Sequence, residues 1–568
     1  MTDMSLDRWP QRGRVRNNAR PSALLLGRWA LLGVLGFLIL MPLYRLQGMA
    51  FEDGASGYSR AFSRPGSVET IVTTVFLAVG SLLIGLVLGT ALAWAASRLP
   101  ARLRFLRVVP VLPIVLPPIA AVLGWALLFS PRPGYGNGLL RQLPWWNGVT
   151  EGPADVYTLP WIVLITGLAL TSFVYLFVSA GYSNINHELI EAARVSGSTE
   201  REVFFRVTLP LLRPSLVYGG AVALLLGLGQ FTAPLMLGRN AGIDVLTTDM
   251  YLAVSRMPVD YGQAAAIASP LLIFGVLIVL LQMGLVRDHG RFVTHGGKSF
   301  RSDDSASCTA VGLILGYGLV AIVLPTAALV IMSLSPFWGD INVATFTLEN
   351  FRKVLATPGI TDAIKTSLFA SMAAVSVTLP LGFLCASILV RLRHHGTVRT
   401  LIDFIVTLPL GIPAAVFGVG FLLTYTAGPF VLYGTRWVIV LAYVTLMVPF
   451  ATRMQLSALV SLGSAYEEAS RTSGAGALRT KLRIVLPLIR RSIGGAAALM
   501  FVLLTHEFAA SLLVRSPKTD VMGTILYQYW TNGSYPTVAA IAIIMTLITG
   551  AGVFLAMAVG GGDFFDEL

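Results

Sequence analysis

The chain has 568 residues, of which 55% are hydrophobic and 12% charged, and its mean hydropathy of +0.75 excludes an ordinary soluble domain. The net charge of +13 invites a nucleic-acid reading, but the basic residues are split among separate loops and form no continuous face, so nucleic acid is not expected as a partner. What remains is a membrane protein.

A basic segment, 1–22, carries Arg8, Arg12, Arg14, Arg16 and Arg20. Six apolar runs follow, at about 23–49, 67–96, 105–129, 158–182, 214–238 and 263–286. A polar joint at 287–308 contains His289, His295 and residues 302–305, Ser-Asp-Asp-Ser, and reads as a flexible linker. Six more runs lie at about 309–335, 364–390, 400–426, 437–457, 492–514 and 537–560. Runs near 20 residues are long enough to cross a hydrocarbon core of about 30 Å, and in lipid only a helix satisfies its own backbone. The first is too long and too hydrophobic for a cleaved signal peptide. With the N-terminus inside, 28 of the 41 Lys and Arg fall on the cytoplasmic side, which sets both termini there.

The two sets of six repeat one another. Glu191-Ala192-Ala193, Gly197 and Val207-Thr208-Leu209-Pro210 recur as Glu468-Ala469-Ser470, Gly474 and Ile484-Val485-Leu486-Pro487, an offset of 277. Leu112-Pro113, Pro117 and Gly124 recur as Leu408-Pro409, Pro413 and Gly420 at 296. Gln230-Phe231-Thr232-Ala233 recurs as Glu507-Phe508-Ala509-Ala510 at 277, and Asp244 and Tyr251 recur as Asp520 and Tyr527 at 276. The first half carries 19 extra residues, mostly within 130–157. Six spans is an even number, so the fold expected is all-α and polytopic, about twelve transmembrane helices as two parallel six-helix repeats, 23–286 and 309–568. The prolines of the third and ninth spans are expected to kink them.

Each Glu-Ala motif sits in the longest cytoplasmic loop of its half. A helix continuing from Asn184 should end at Gly197, which takes a positive φ at little cost. Thr199 and Glu202 have capping-box form for a second short helix. That helix should present Val203, Phe204 and Val207 as an apolar ridge until Leu209-Pro210 stops it. The second copy lacks the cap, offers Leu478, Leu482 and Ile484 as its ridge, and is more basic through Arg479, Lys481 and Arg483.

These loops resemble the EAA signature of permeases in binding-protein-dependent ABC importers of the type I fold, in the subset that fuses two halves. The resemblance implies that Glu191, Ala192, Ala193, Gly197, Phe204, Leu209 and Pro210, and Glu468, Ala469, Gly474, Leu478, Leu486 and Pro487, seat two coupling helices on an ABC ATPase homodimer. ATP and Mg would then be held by that partner, with no cofactor on this chain, and an extracytoplasmic binding protein would deliver cargo. The stretch Glu507–Leu513 with Asn532-Gly533-Ser534-Tyr535 is similar to ferric-iron permeases; thiamine, polyamine and phosphonate permeases share the architecture.

The chain has no ATPase of its own. Gly297-Lys298-Ser299 ends like a phosphate-binding loop, but the earlier glycine would fall on Phe292 and no strand precedes it. No nucleophile–base constellation speaks for catalysis. The rival reading is an ion-coupled secondary transporter, which also often has twelve spans and parallel halves, but it needs buried charges and one clear intramembrane carboxylate supports it thinly. Glu507 is the clearest intramembrane carboxylate; with His506, Gln230, Thr232 and Ser511 it reads either as part of a translocation pathway or as a carboxylate satisfied by His506 or nearby backbone. One carboxylate and one imidazole are too few for a metal site. Cys308 and Cys385 read as packing residues, His394 and His395 as solvated, and Trp145 and Trp146 as interfacial anchors or an external docking surface.

Overall fold

The computed structural model describes residues 21–183, 185–286, 308–339, 341–391, 396–428 and 430–560. Most of the basic N-terminal segment, nearly all of the joint with Gly297-Lys298-Ser299, Asn184, His394 and His395 lie outside these residues. Among the described residues all regular structure is helical. Eight helices are long and apolar enough to cross a membrane, and the number reaches twelve when each of four sharply bent pairs is counted as one span.

The bends correct the picture of twelve plain rods. The third span breaks by 90° between Arg102–Ile114 and Pro118–Phe129, and the ninth by 107° between Thr397–Gly411 and Ala414–Tyr425. The expected kinks are thus full corners. Pro117 and Pro413 stand at the corners with extended backbone, ψ 127° and 140°, because each lacks an N–H and clashes with a continuing helix. The first arm also holds Pro110 and Pro113 and winds into the tighter 3₁₀ form. A 12-residue arm such as Pro118–Phe129 rises only about 18 Å, too short to cross alone.

The fifth and eleventh spans are interrupted as well. Arg213–Leu228 stops before Gly229-Gln230-Phe231, and a short wide turn follows at Pro234–Gly238. Arg490–Thr505 stops before His506-Glu507-Phe508, and Ala509–Val514 resumes. Each is followed by a ten-residue helix, Leu246–Ser255 or Met522–Thr531, whose first turns are buried. The repeats cap these helices alike: Thr74 Oγ1 accepts from Leu246 N at 2.9 Å, and Ser367 Oγ accepts from Met522 N at 2.8 Å. That pairing sets the offset of the second and eighth spans at 293.

The halves exchange their first spans. Pro325, in the first span of the second half, lies against Gly124 in the broken span of the first; a Cβ on Gly124 would stand 2.4 Å from Pro325 O. Reciprocally, a Cβ on Gly420 would stand 2.8 Å from Pro42 O. The Gly124/Gly420 match therefore marks a close backbone approach that any side chain would block. Polar bonds repeat the exchange: Tyr317 OH donates to Leu168 O at 2.8 Å, and Thr445 Oγ1 to Leu38 O at 3.3 Å.

Candidate functional site: two motif loops and an axial aromatic cluster

In the first loop a helix runs over His187–Val195, with Asn186 as its cap accepting from Glu188 N at 3.0 Å. It starts three residues later than Asn184. Gly197 ends it at φ 85°, and Gly474 does the same in the second loop at φ 82°. The capping box forms: Thr199 N donates to Glu202 Oε2 at 3.0 Å, and Glu202 N to Thr199 Oγ1 at 3.3 Å. These bonds hold Glu202 below the usual carboxylate range. Burial would raise Glu200, but Arg98 and Arg194 outweigh it and lower it.

The second helix does not stop at Leu209-Pro210. It continues over Glu200–Leu211, and the chain turns by 68° at Leu212. The reason is a wide turn at Phe204–Thr208, where Leu209 N donates to Phe204 O five residues back. The ladder is already shifted when the missing amide of Pro210 arrives. The second loop matches it, with a wide turn at Lys481–Val485 and a 71° bend before Arg490–Thr505.

That extra residue per turn corrects the ridge. Val203 is buried and Phe204 half-buried, while Phe205 is 55% exposed. Phe205 is the residue that a 3.6-residue period misses. In the second loop Leu478 and Leu482 are exposed as expected, and Ile484 is half-buried. Glu191, Ala192, Glu468, Ala469, Gly197 and Gly474 are exposed; Ala193, Leu209, Pro210 and Leu486 are half-buried, and Pro487 is exposed.

Ser470, where the first loop has Ala193, bonds Thr480, where the first loop has Val203; their hydroxyls lie 2.8 Å apart and buried. An apolar pair in one half is thus a hydrogen-bonded pair in the other. Thr480→Val alone strands the Ser470 hydroxyl and is expected to weaken the loop by about 1–3 kcal/mol. The double change S470A/T480V, which restores the first loop's chemistry, should recover most of it. Hydrogen exchange over 465–488 in the four variants of this cycle measures the coupling; equal exchange in all four would show that the bond contributes nothing.

At the interrupted spans, Glu507 does not pair with His506. Its Oε1 accepts from Ala510 N at 2.8 Å, and its Oε2 from Ser511 N at 3.0 Å and Ser511 Oγ at 2.6 Å. The carboxylate is satisfied by neighbouring backbone and caps the short helix that resumes the span. Ser511 Oγ also meets Tyr443 OH at 2.9 Å. Gln230, its repeat-mate, turns its Oε1 to the adjacent Phe231 N at 3.2 Å, and Thr247 Oγ1 donates to Gln230 O at 2.5 Å. Thr232 is half-buried, and His506 is buried with Nδ1 unpartnered.

The residues brought together across the halves are the aromatic neighbours. Phe231 and Phe508, repeat-mates, place their ring centroids 5.6 Å apart. Phe231 meets Tyr251 at 5.8 Å, and Phe508 meets Tyr527 at 5.6 Å, and these tyrosines are also repeat-mates. Phe231 and Phe508 are 2% and 4% exposed. Arg239 of the first half donates to Tyr527 OH of the second at 3.1 Å. Elsewhere, Trp145 is 70% exposed, Cys385 is buried and Cys308 exposed. Among the described residues no three His, Cys, Asp or Glu gather as metal ligands.

The sequence is similar to known proteins. The family described as binding-protein-dependent transport system inner membrane component matches twice, over residues 81–288 and 378–560. The chain is 26% identical over 525 residues to the ferric transport system permease protein of Actinobacillus pleuropneumoniae, covering 90% of this chain and 74% of that one. A Haemophilus influenzae protein assigned provisionally to ferric transport is 26% identical over 499 residues, 85% of this chain and 77% of its own. The sulfate transport system permease protein of Escherichia coli is 29% identical over 261 residues, 45% of this chain and 90% of its own. The doubled match, with bent helices repeated in register, shows that the chain belongs to the inner-membrane permease family of binding-protein-dependent ABC importers, as a multi-pass protein with two permease halves in one polypeptide.

Proposed function

We propose that this permease moves ferric iron from an external binding protein into the cytoplasm, driven by two copies of an ABC ATPase that carry ATP and Mg. The observation that carries the cargo reading is that two relatives aligned across 85% and 90% of the chain are both named for ferric transport, whereas the sulfate permease, aligned over 90% of its own length, matches 45% of this chain. Both termini and both motif loops lie on the cytoplasmic side in this reading. The helices Glu200–Leu211 and Ala477–Leu488 dock one ATPase each, through Phe205 on one and Leu478 and Leu482 on the other, with Gly197 and Gly474 shaping the approach.

The path lies where the fifth and eleventh spans are interrupted. Phe231 and Phe508 close it on the pseudo-axis, backed by Tyr251 and Tyr527. Gln230, Thr232, His506, Glu507 and Ser511 frame this closure, and Glu507 serves it by fixing the helix behind Phe508. With three hydrogen bonds accepted from Ala510 and Ser511, Glu507 acts in this reading as a positioning group, and iron passes without a resident site. Glu507→Gln should leave the apparent affinity for cargo unchanged within about twofold while lowering the melting temperature, since an amide replaces one acceptor by a donor. A large loss of cargo affinity in a variant of normal stability would restore Glu507 as a ligand.

The decisive experiment reconstitutes the chain with its ATPase and binding protein in sealed vesicles. ATP-dependent accumulation of ferric iron is expected. Accumulation of sulfate or a phosphonate instead, or uptake driven by an ion gradient without ATP, overturns the reading.

A further inference from the structure

Beside the second motif loop lies a cavity of about 700 Å³, formed by the ends of the eighth and tenth spans, the start of the ninth and the loop's second helix. Its charged lining is Arg391, Arg399, Arg453, Lys481, Asp403 and Glu467. Both carboxylates are already engaged: Arg453 Nη2 pairs with Asp403 at 2.9 Å, and Arg471 Nη2 with Glu467 at 3.3 Å. Among the described residues, Arg391, Arg399 and Lys481 make no ion pair. Lys481 is half-buried, its ammonium 5.4 Å above the ring of Phe383. Burial, and then the charge of Arg391, lower it to about 8, with Glu467 opposing them. Four cations and two carboxylates line this space, and both carboxylates are engaged by arginines, so the excess of positive charge describes a site for an anion.

The repeat shows that the scaffold does not require this arrangement. Through the offsets of 277, 293 and 296, the first half places Arg98, Leu103, Arg107, Leu176, Ile190 and Phe204 at the corresponding positions. Ile190 is buried there, and Arg98 is paired with Glu200. Glu200 corresponds to Ala477, so the second half has removed the very carboxylate that neutralises this arginine. It has also put lysine where the first half has phenylalanine. Among the described residues, four cations line this position in the second half, and the first half has two, Arg98 and Arg107, at the corresponding positions.

We propose that this cavity binds a phosphate-bearing anion, taken as the headgroup of an anionic phospholipid or as free phosphate. Arg391 and Arg399 contact the phosphate oxygens from the open side, and Lys481 meets them from the buried side, while Arg453 stays on Asp403 and shapes the wall. The position fits a lipid, since the cavity is walled by span ends and by Val460, which is 55% exposed.

The test uses the full purified chain and reads binding directly, so it does not depend on which cargo is carried. In one arm the protein is placed in vesicles of phosphatidylcholine with or without phosphatidylglycerol, extracted gently and weighed intact for retained lipid. In the other, inorganic phosphate is titrated onto detergent-solubilised protein. Wild type should retain phosphatidylglycerol or bind phosphate, and the pair of changes K481Q/R391Q should weaken that binding about tenfold or more. R399Q, on the exposed rim, should weaken it less, and Arg206→Gln, on the first loop, not at all. Retained lipid without phosphate binding identifies the lipid source; phosphate binding without retained lipid identifies the free anion. Neither ligand bound by folded wild type, or equal binding by folded K481Q/R391Q and R399Q, overturns the proposal.

Discussion

Gly197→Asp is expected to enter the membrane like wild type and yet lose ATPase association and uptake. The position has φ 85°, and a Cβ there meets nothing within 4 Å. Aspartate is one of the few side chains that tolerates the left-handed region, so the chain itself can accept the change. The added carboxylate instead projects from an exposed turn between Glu191-Ala192-Ala193 and the helix bearing Phe205. A docked partner would have to bury it, and about 1.4 kcal/mol of such cost already weakens binding about tenfold. Gly474→Asp should be milder, because Ala477 and Arg479 follow it where Glu200 and Glu202 follow Gly197. Co-purification of the ATPase with each variant, alongside membrane yield, reads the two effects. Normal ATPase recovery and uptake with Gly197→Asp would remove this loop from the docking surface.

The second large effect concerns closure. Phe508→Ala removes the ring contacts to Phe231 and Tyr527 at a position only 4% exposed. Only the Phe231 contact crosses between the halves, and at about 0.5–1.5 kcal/mol beyond burial its loss should open the closed state about two- to tenfold more often. Sealed vesicles containing the variant should leak small cations without ATP. Phe→Ala in a core also costs about 3–5 kcal/mol, so the melting temperature must be followed, and Phe508→Leu provides a gentler variant of the same kind. Phe501→Ala lies in the same span but beside Gly552 of the twelfth, and should destabilise without leaking. Tight vesicles with folded Phe508→Ala and Phe508→Leu would place the closure elsewhere.

Much of this was legible in the residues, because duplication turns one sequence into two readings of the same physics. The offsets at Gly197/Gly474 and Gly124/Gly420 located real devices, a left-handed turn and a close crossing. The capping box at Thr199 and Glu202 was readable because its chemistry is local. The bends were harder. Pro117 announces a fault in the third span but not its angle, which depends on what packs into the corner. The wide turn at Phe204–Thr208 carries no composition signal, and it moved the exposed face from Phe204 to Phe205. Glu507 stayed open between a pathway charge and a satisfied carboxylate, because a sequence cannot show that the helix stops at Thr505, freeing the amides of Ala510 and Ser511 to take the carboxylate. The Ser470–Thr480 bond could have been found by comparing the loops position by position, since Ala193 and Val203 change together.

The crossed placement of Pro42 on Gly420 and of Pro325 on Gly124 bears on how such a chain is made. When the ribosome has delivered only the first six spans, the corner at Pro117 still lacks the backbone that fills it, and the first helix rests on the sixth span, through Tyr58 on Ser269 and Arg60 on Asp260, with its Pro42 face uncovered. The groove beside Gly124 is closed only when residues near 325 enter the bilayer. The same geometry speaks to ancestry: a single six-span forebear with these crossings would have completed itself only by trading its first helix with a second copy. Joining the halves in one polypeptide keeps the two crossings together while the motif loops differ, as Ser470–Thr480 and Ala193–Val203 do.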